Sequence, residues 1–487
     1  MKPIILTILP LLIGSLLAVP AGWSRRNLAY PIGAASLSAS AIAAVLLFFE
    51  TLSQGTIHYQ LGGWMPPWGI AFVVDSFSAA MVLLIAVSAL ITYLACREEI
   101  TGHFPEKSAA FISLALLTVA GHMGIVSTGD MFNLYVLIEV AALSGYALLA
   151  TGGGRSALTS LNYLCIGSVG ASLYLLGVGY LYILTGSLNM ADITGILAGF
   201  PASASLSAAI AILVLGIWVK MGLFPFHGWL PGAYGHSRSV AATLLAPLTT
   251  KVMIYVLVRL RLGVLPPEIS FPAGIEQVAI LLATTAIFAG SVMAFIQKDQ
   301  MRMLCYILVA EVGYMAGGIF LGNRTAMTGA LLHIFADALM TLTLFLALTN
   351  IARRRETMNL GSFGELFRHM PVTMAAFTLG ALSMIGVPPL CGFFSKWYLL
   401  SGALEAGQYP FMAALIASSL MNLILFFRIF EAAFFEKWTG NPAAARESGR
   451  PRLALLGTAA GLLVVTGLST GLIVERVISK IIPVNFG

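Results

Sequence analysis

The sequence predicts an all-α polytopic membrane protein of about fourteen transmembrane helices, built as two inverted five-helix repeats with broken helices 7 and 12. Three observations lead there. Of 487 residues, 59% are hydrophobic and only 9% charged, against about 25% charged in a soluble domain. The apolar runs mostly reach about 18 residues, enough to cross a hydrocarbon core as helix. Two of these runs are interrupted in a matched way, five segments apart. Lipid offers no partner for free backbone groups, so each run is expected to be helical.

The segments run over 3–20, 31–49, 76–96, 108–127, 129–151, 162–185, 206–224, 239–260, 274–295, 301–321, 326–348, 371–386 continuing to 405, 410–430 and 452–474. The first is read as a retained helix. A signal peptide carries its basic residues before the apolar run, whereas here Arg25 and Arg26 follow it. Residues 1–107 hold helices 1–3. Within them the stretch Thr51 to Val74, with Gly62-Gly63 and Pro66-Pro67, predicts an extracellular hairpin or loop. The first repeat is placed in 108–260 (helices 4–8) and the second in 274–430 (helices 9–13). Residues 452–487 form helix 14 and the C-terminus.

The matched interruptions are Lys220-Met221-Gly222-Leu223-Phe224-Pro225-Phe226-His227 in segment 7 and Gly386-Val387-Pro388-Pro389, then Gly392 and Lys396, in segment 12. Broken helices in corresponding halves point to inverted repeats with sites near the midplane. Freed backbone is tolerated at that depth only where protein or water satisfies it.

Loops after odd-numbered helices hold 17 of the 26 lysines and arginines, and the other loops and both termini hold six. The positive-inside rule then puts the odd loops in the cytoplasm and both termini outside, in a prokaryotic-type inner (plasma) membrane. The net charge of +6 follows from this bias and does not argue for nucleic acid. The remaining three basic residues, Lys220, Lys251 and Lys396, lie inside spans. The acids inside spans are Glu139, Glu311 and Asp337; His333 and His122 are also intramembrane, and His227 sits at a helix break. A charge at mid-bilayer costs about 2.5–3.5 kcal/mol on insertion scales. One such pair could merely hold two helices in register. This many, spread over so many helices, points to an ion or proton path.

Lysine suits proton transfer because burial loosens its proton and a nearby carboxylate tightens it again. Glu139 with Lys220 is the natural pair. His333 and Asp337, four residues apart, share a helix face, where an acid would favour the protonated histidine. The polar positions are mainly titratable, which argues against an autonomous transporter of a small solute driven by H⁺ or Na⁺. Haem, iron–sulfur and dinucleotide motifs are missing from the sequence, and its four cysteines are scattered, so intrinsic redox chemistry, a cofactor and a bound metal are not expected.

These residues resemble the antiporter-like subunits shared by Mrp-type sodium/proton antiporters, respiratory complex I and membrane-bound hydrogenases. The specific pieces are Asn133-Leu134-Tyr135 leading to Glu139, Lys220 through Phe224-Pro225-Phe226-His227-Gly228-Trp229-Leu230-Pro231, Thr250-Lys251, and Gly386 through Trp397. The resemblance implies a fourteen-helix core with Glu139 and Lys220 as the coupling ion pair. Lys251 would link the halves, His333 would continue the polar axis, and Lys396 would end it. It also implies other membrane subunits as partners, with protons and Na⁺ as cargo. The chain's length is similar to that of the D-type subunits of Mrp antiporters, with nothing after helix 14 for a long lateral helix. Helix 11 departs from the family pattern: Asp337 stands where a second histidine is usual and Thr341 where a lysine is. Glu311 replaces a common glutamine. This added acidity would suit a hard cation such as Na⁺.

Overall fold

The computed structural model describes residues 2–25, 27–102, 107–201, 203–237, 239–266, 271–355, 358–438, 446–483 and 486. Arg26 and Arg238, two of the loop cations of the charge bias, lie outside these. Spans 1 to 6 are Pro3–Ser24, Ala29–Gln54, Ser76–Ala95, Ser108–Ser127, Met131–Ala150 and Arg155–Thr185. Span 7 is Ala204–Met221 followed by Trp229–His236, and span 8 is Ser239–Leu245 followed by Thr249–Arg259. Spans 9 to 11 are Ala273–Phe295, Gln300–Phe320 and Arg324–Ala352. Span 12 is Pro371–Ile385 with Cys391–Glu405, span 13 is Tyr409–Phe435 and span 14 is Arg450–Leu468. Among the described residues thirteen helical stretches are long and apolar enough to cross a bilayer. The broken twelfth, in two pieces of 15 residues, completes the fourteen.

Polar caps start several spans. Asp75, Asp130, Ser203, Asp299 and Asn323 each accept a backbone N–H from the first turn of the helix that follows, removing one of the orphan donors at that end. Span 2 runs further than the hydropathy suggests, to Gln54, because nothing before Gly55 (φ 86°) stops it. The hairpin then forms over fewer residues: Ile57–Gln60 pairs antiparallel with Ala71–Val74, Ile57 opposite Val74.

Contacts between loops sort the two faces. At the hairpin face Lys2 Nζ donates to His58 O (3.3 Å), Phe72 bridges to Thr128, Asp130 bridges to Asn189, and Arg324 donates to Ile482 O and Pro483 O (3.1 and 2.7 Å). At the opposite face, which carries most of the loop cations, Arg353 pairs with Glu98 and Glu99 and Arg452 with Glu99. There the Glu447 carboxylate also accepts from Val372 N (2.8 Å). The chain therefore alternates faces at each span, and both termini lie at the hairpin face.

Spans 7 and 12 run in opposite directions, as an odd offset of five requires of an inverted repeat. Their breaks are built alike. Gly222 (φ 74°) and Leu223 return N–H groups to Val219 O and Trp218 O; Gly386 (φ 97°) and Val387 return theirs to Ser383 O and Leu382 O. This is the Schellman pattern, in which a left-handed glycine closes the helix and satisfies its last carbonyls. Span 8 is broken too, at Ala246–Leu248, where hydropathy predicts one continuous helix. Pro247 has no N–H to extend the helix.

Burial shows where polar chemistry can be sheltered. In their most apolar windows span 11 is 100% buried and spans 8 and 10 are 94% buried, whereas spans 1, 2, 6, 9 and 13 are 39% buried. The outer spans present exposed apolar side chains such as Leu16, Ile183 and Phe435. Spans 8, 10 and 11 are the sealed axis.

Candidate functional site: a chain of buried ion pairs

The intramembrane charges fall into three groups along the axis. In the first repeat Lys220, two residues before the glycine that ends its half-helix, reaches across to span 5. Its Nζ donates to Glu139 Oε1 at 2.9 Å. The lysine side chain is 5% exposed and the glutamate 22%, so this pair meets the protein's outer surface on one side.

The second group is Lys251 with Asp337, from spans 8 and 11, at 2.8 Å. Both are sealed, 1% and 0% exposed. Lys251 Nζ also donates to Ala246 O (3.2 Å), the carbonyl freed by the Pro247 break, and Thr341 Oγ1 donates to Asp337 Oδ1 (3.0 Å). The usual lysine of span 11 is thus replaced by a hydroxyl that steadies the new acid.

The third group joins spans 10, 11 and 12. Glu311 Oε2 lies 2.5 Å from His333 Nε2, and Glu311 Oε1 lies 3.9 Å from Lys396 Nζ. His333 Nδ1 lies 2.8 Å from Ser395 Oγ, whose hydroxyl also reaches Cys391 O and Gly392 O (3.2 Å each). Lys396 Nζ donates to Met384 O at 2.5 Å, lies 3.5 Å from Ser419 Oγ and stands 4.9 Å over the Tyr314 ring. Met384 is in the last turn of the first half of span 12, where carbonyls lack helical partners and the helix end is partly negative. Lys251 and Lys396 thus each hold a carbonyl exposed by a helix break, and Lys220 lies in the last turn before one.

This geometry redraws one expectation. His333 and Asp337 share a helix, but the acid facing His333 is Glu311, and Asp337 is taken by Lys251. Helical periodicity places the two on one face; it carries no information about which neighbouring helix supplies each partner. Glu311, which stands where the family commonly has glutamine, becomes the hub of its group. His227 stays outside the chain of pairs, stacked on Phe224 (5.2 Å between centroids) beside the break.

Beside Lys220 lies a cavity lined by His122, Tyr163, Thr249 of span 8 and apolar side chains. Its water-accessible space is about 20 Å³, room for one water. His122 is 2% exposed and its Nδ1 has no partner among the described residues. The acids are therefore spread along the axis, each against its own base, and do not converge as a cation cage would require.

Comparison with known proteins agrees with this architecture. Residues 128–422 match the family model described as NADH:quinone oxidoreductase/Mrp antiporter, TM. NADH-quinone oxidoreductase subunit N of Desulforudis audaxviator is 40% identical, over 99% of this chain and 97% of that protein. The D-type subunit of the Na(+)/H(+) antiporter of Bacillus subtilis is 30% identical, over 89% and 88%. Among solved structures, a chain of the membrane-bound sulfane sulfur reductase, an archaeal respiratory membrane complex, superposes with a TM-score of 0.90 at 25% identity, covering 99% of this chain and 97% of that one. The chain belongs to the NADH:quinone oxidoreductase/Mrp antiporter family, as one of its antiporter-like membrane subunits.

Proposed function

We propose that this subunit moves protons through the buried chain Glu139, Lys220, Lys251, Asp337, His333, Glu311 and Lys396, within a larger assembly that couples the movement to cation exchange or to a redox reaction. The observation that carries the reading is the row of acid–base groups, Glu139–Lys220, Lys251–Asp337 and Glu311 with His333 and Lys396, the last two built around the sealed spans 8, 10 and 11.

Each pair can hold or release a proton according to its separation. While the Glu139 carboxylate touches Lys220, the ammonium is stabilised; drawing the acid away leaves a buried charge without a partner and favours proton release. The cavity beside Lys220 is also lined by His122 and Thr249, so a water held there would give a released proton its first step toward span 8.

At the far end Glu311 faces two bases at once. With Glu311 on His333, the Ser395 hydroxyl can accept from Nδ1–H of a protonated ring or turn to donate to Nδ1 of a neutral one. Turning one hydroxyl therefore accommodates both charge states. If Lys396 closes its 3.9 Å gap to Glu311, the carboxylate is shared and His333 is freed to lose its proton.

Protons fit these groups better than Na⁺, because Glu311 and Asp337 already face nitrogen cations. Following the positive-inside rule, we assign the basic face to the cytoplasm and both termini to the outside. The test is cation/proton exchange in vesicles carrying the assembled complex. Glu139→Ala and Lys220→Ala are each expected to abolish exchange while assembly survives, and full activity in both would refute the reading.

A further inference from the structure

Lys396 ends the chain of pairs, and the groups on its far side come from span 13. One face of that helix carries Ser418, Asn422, Leu425 and Arg428, three or four residues apart and hence stacked along the helix. Ser419 Oγ is 3.5 Å from Lys396 Nζ, and Ser418 Oγ lies 2.6 Å from Ser291 Oγ of span 9. One turn nearer the basic face is Asn422, 1% exposed, with neither its amide oxygen nor its amide nitrogen partnered within the described residues. Buried amides are almost always hydrogen-bonded, and this one has nothing structural to hold.

One further turn on, Leu425 and Arg428 line a cavity at the basic face, which Gln297, Lys298, Gln300 and Asn359 also line. Its water-accessible space is 240 Å³, room for several waters. Seven residues of helix separate Ser418 from Leu425, about 10 Å along the axis, and Asn422 stands between them. The hairpin-face cavity, lined by Asp75, Arg259 and Lys480, lies against spans 2, 3 and 8 instead.

We infer that Asn422 is the polar step of a proton route joining the basic-face cavity between spans 9, 10 and 13 to Lys396. This rests on the proton-chain reading above and adds a point of entry to it. A primary amide donates and accepts at once, so Asn422 can align water in either direction between the serines at Lys396 and the cavity. Leu425, next along the face, would form the apolar neck.

The test uses the complete assembly in oriented membrane vesicles. Asn422→Leu, close in volume, should slow proton exchange at least tenfold, while Asn422→Ser should keep it within threefold of the parent. Independently, Leu425→Cys in a Cys165→Ala background should lose at least fivefold in rate when a membrane-impermeant thiol reagent is added at the basic face, and nothing when it is added at the hairpin face. Should Asn422→Leu fail to assemble, the thiol experiment decides alone. The inference is overturned if modification at Leu425→Cys leaves the rate within twofold while Lys220→Ala still abolishes exchange. If Lys220→Ala also leaves exchange unchanged, the proton chain itself has failed and this entry route with it.

Discussion

The two repeats treat their charges differently. In the first, one pair, Glu139–Lys220, sits with its acid 22% exposed and has no third charged partner among the described residues. The second repeat seals its charges: Asp337 meets Lys251 of span 8 across the boundary between the repeats, and Glu311, His333 and Lys396 form a buried group of their own. A pair with one side on the protein's outer surface can open toward a neighbouring subunit's polar groups there. A sealed pair cannot, since an uncompensated charge in the interior is strongly destabilising. The first repeat is thus suited to a pair that opens and closes, and the second to protons handed between fixed partners.

The largest effect should come from breaking a sealed pair. Asp337→Ala leaves Lys251 charged and alone, and is expected to cost about 3–5 kcal/mol. It should be seen as loss of folded protein in thermal unfolding of the purified complex, whereas Glu139→Ala, at a partly exposed acid, should cost measurably less. The double variant Asp337→Ala with Lys251→Met should regain most of the stability but not the exchange activity. Equal stability losses from Asp337→Ala and Glu139→Ala would erase the contrast between the repeats.

A smaller effect separates charge from shape. Glu311→Gln keeps a hydrogen-bonding partner for His333 but removes the negative charge shared with Lys396. Exchange is expected to fall by about ten- to a hundredfold, roughly the loss of one charge-assisted hydrogen bond at 1.5–3 kcal/mol, and Glu311→Ala should fall further. Ser395→Ala should be milder, about threefold, because it removes only the hydroxyl that answers both states of His333. Proton exchange rates in vesicles rank the three.

The smallest effect lies outside the axis. Glu98, in the loop after span 3, is held below the ordinary carboxylate range by its hydrogen bond and ion pair with Arg353. A lowered folded value means that its contribution is present above the unfolded value of about 4.5 and is lost as pH falls through the folded value. The carboxylate is 68% exposed, so after solvent screening Glu98→Gln should cost less than about 1 kcal/mol at neutral pH. The parent and variant melting temperatures should converge on acidification.

The fold and much of the site were legible because both rest on composition. Span lengths, the breaks at Gly222 and Gly386, and the rarity of charges inside spans are all written along the chain. Partner choice is not. That Asp337 faces Lys251 and not His333 depends on how spans 8, 10 and 11 rotate against one another, which no one-dimensional period records. The break in span 8 rests on Pro247 alone, without the flanking glycine that marked the other two. Asn422 gave no signal, because an uncharged amide in an apolar run is ordinary until its neighbours are known to leave it unpartnered.

The opposed directions of spans 7 and 12 have an electrical consequence. The first half of span 7 descends from the hairpin face and the first half of span 12 rises from the basic face. Their negative helix ends therefore reach toward the middle of the bilayer from opposite sides, each with a lysine near it. Protonating either lysine moves charge across only part of the transmembrane potential, roughly half of 2.3 kcal/mol per 100 mV. A membrane voltage would then bias proton occupancy at both lysines, each through only part of the field. The potential would thus act on the two broken helices themselves as well as on the net movement of protons.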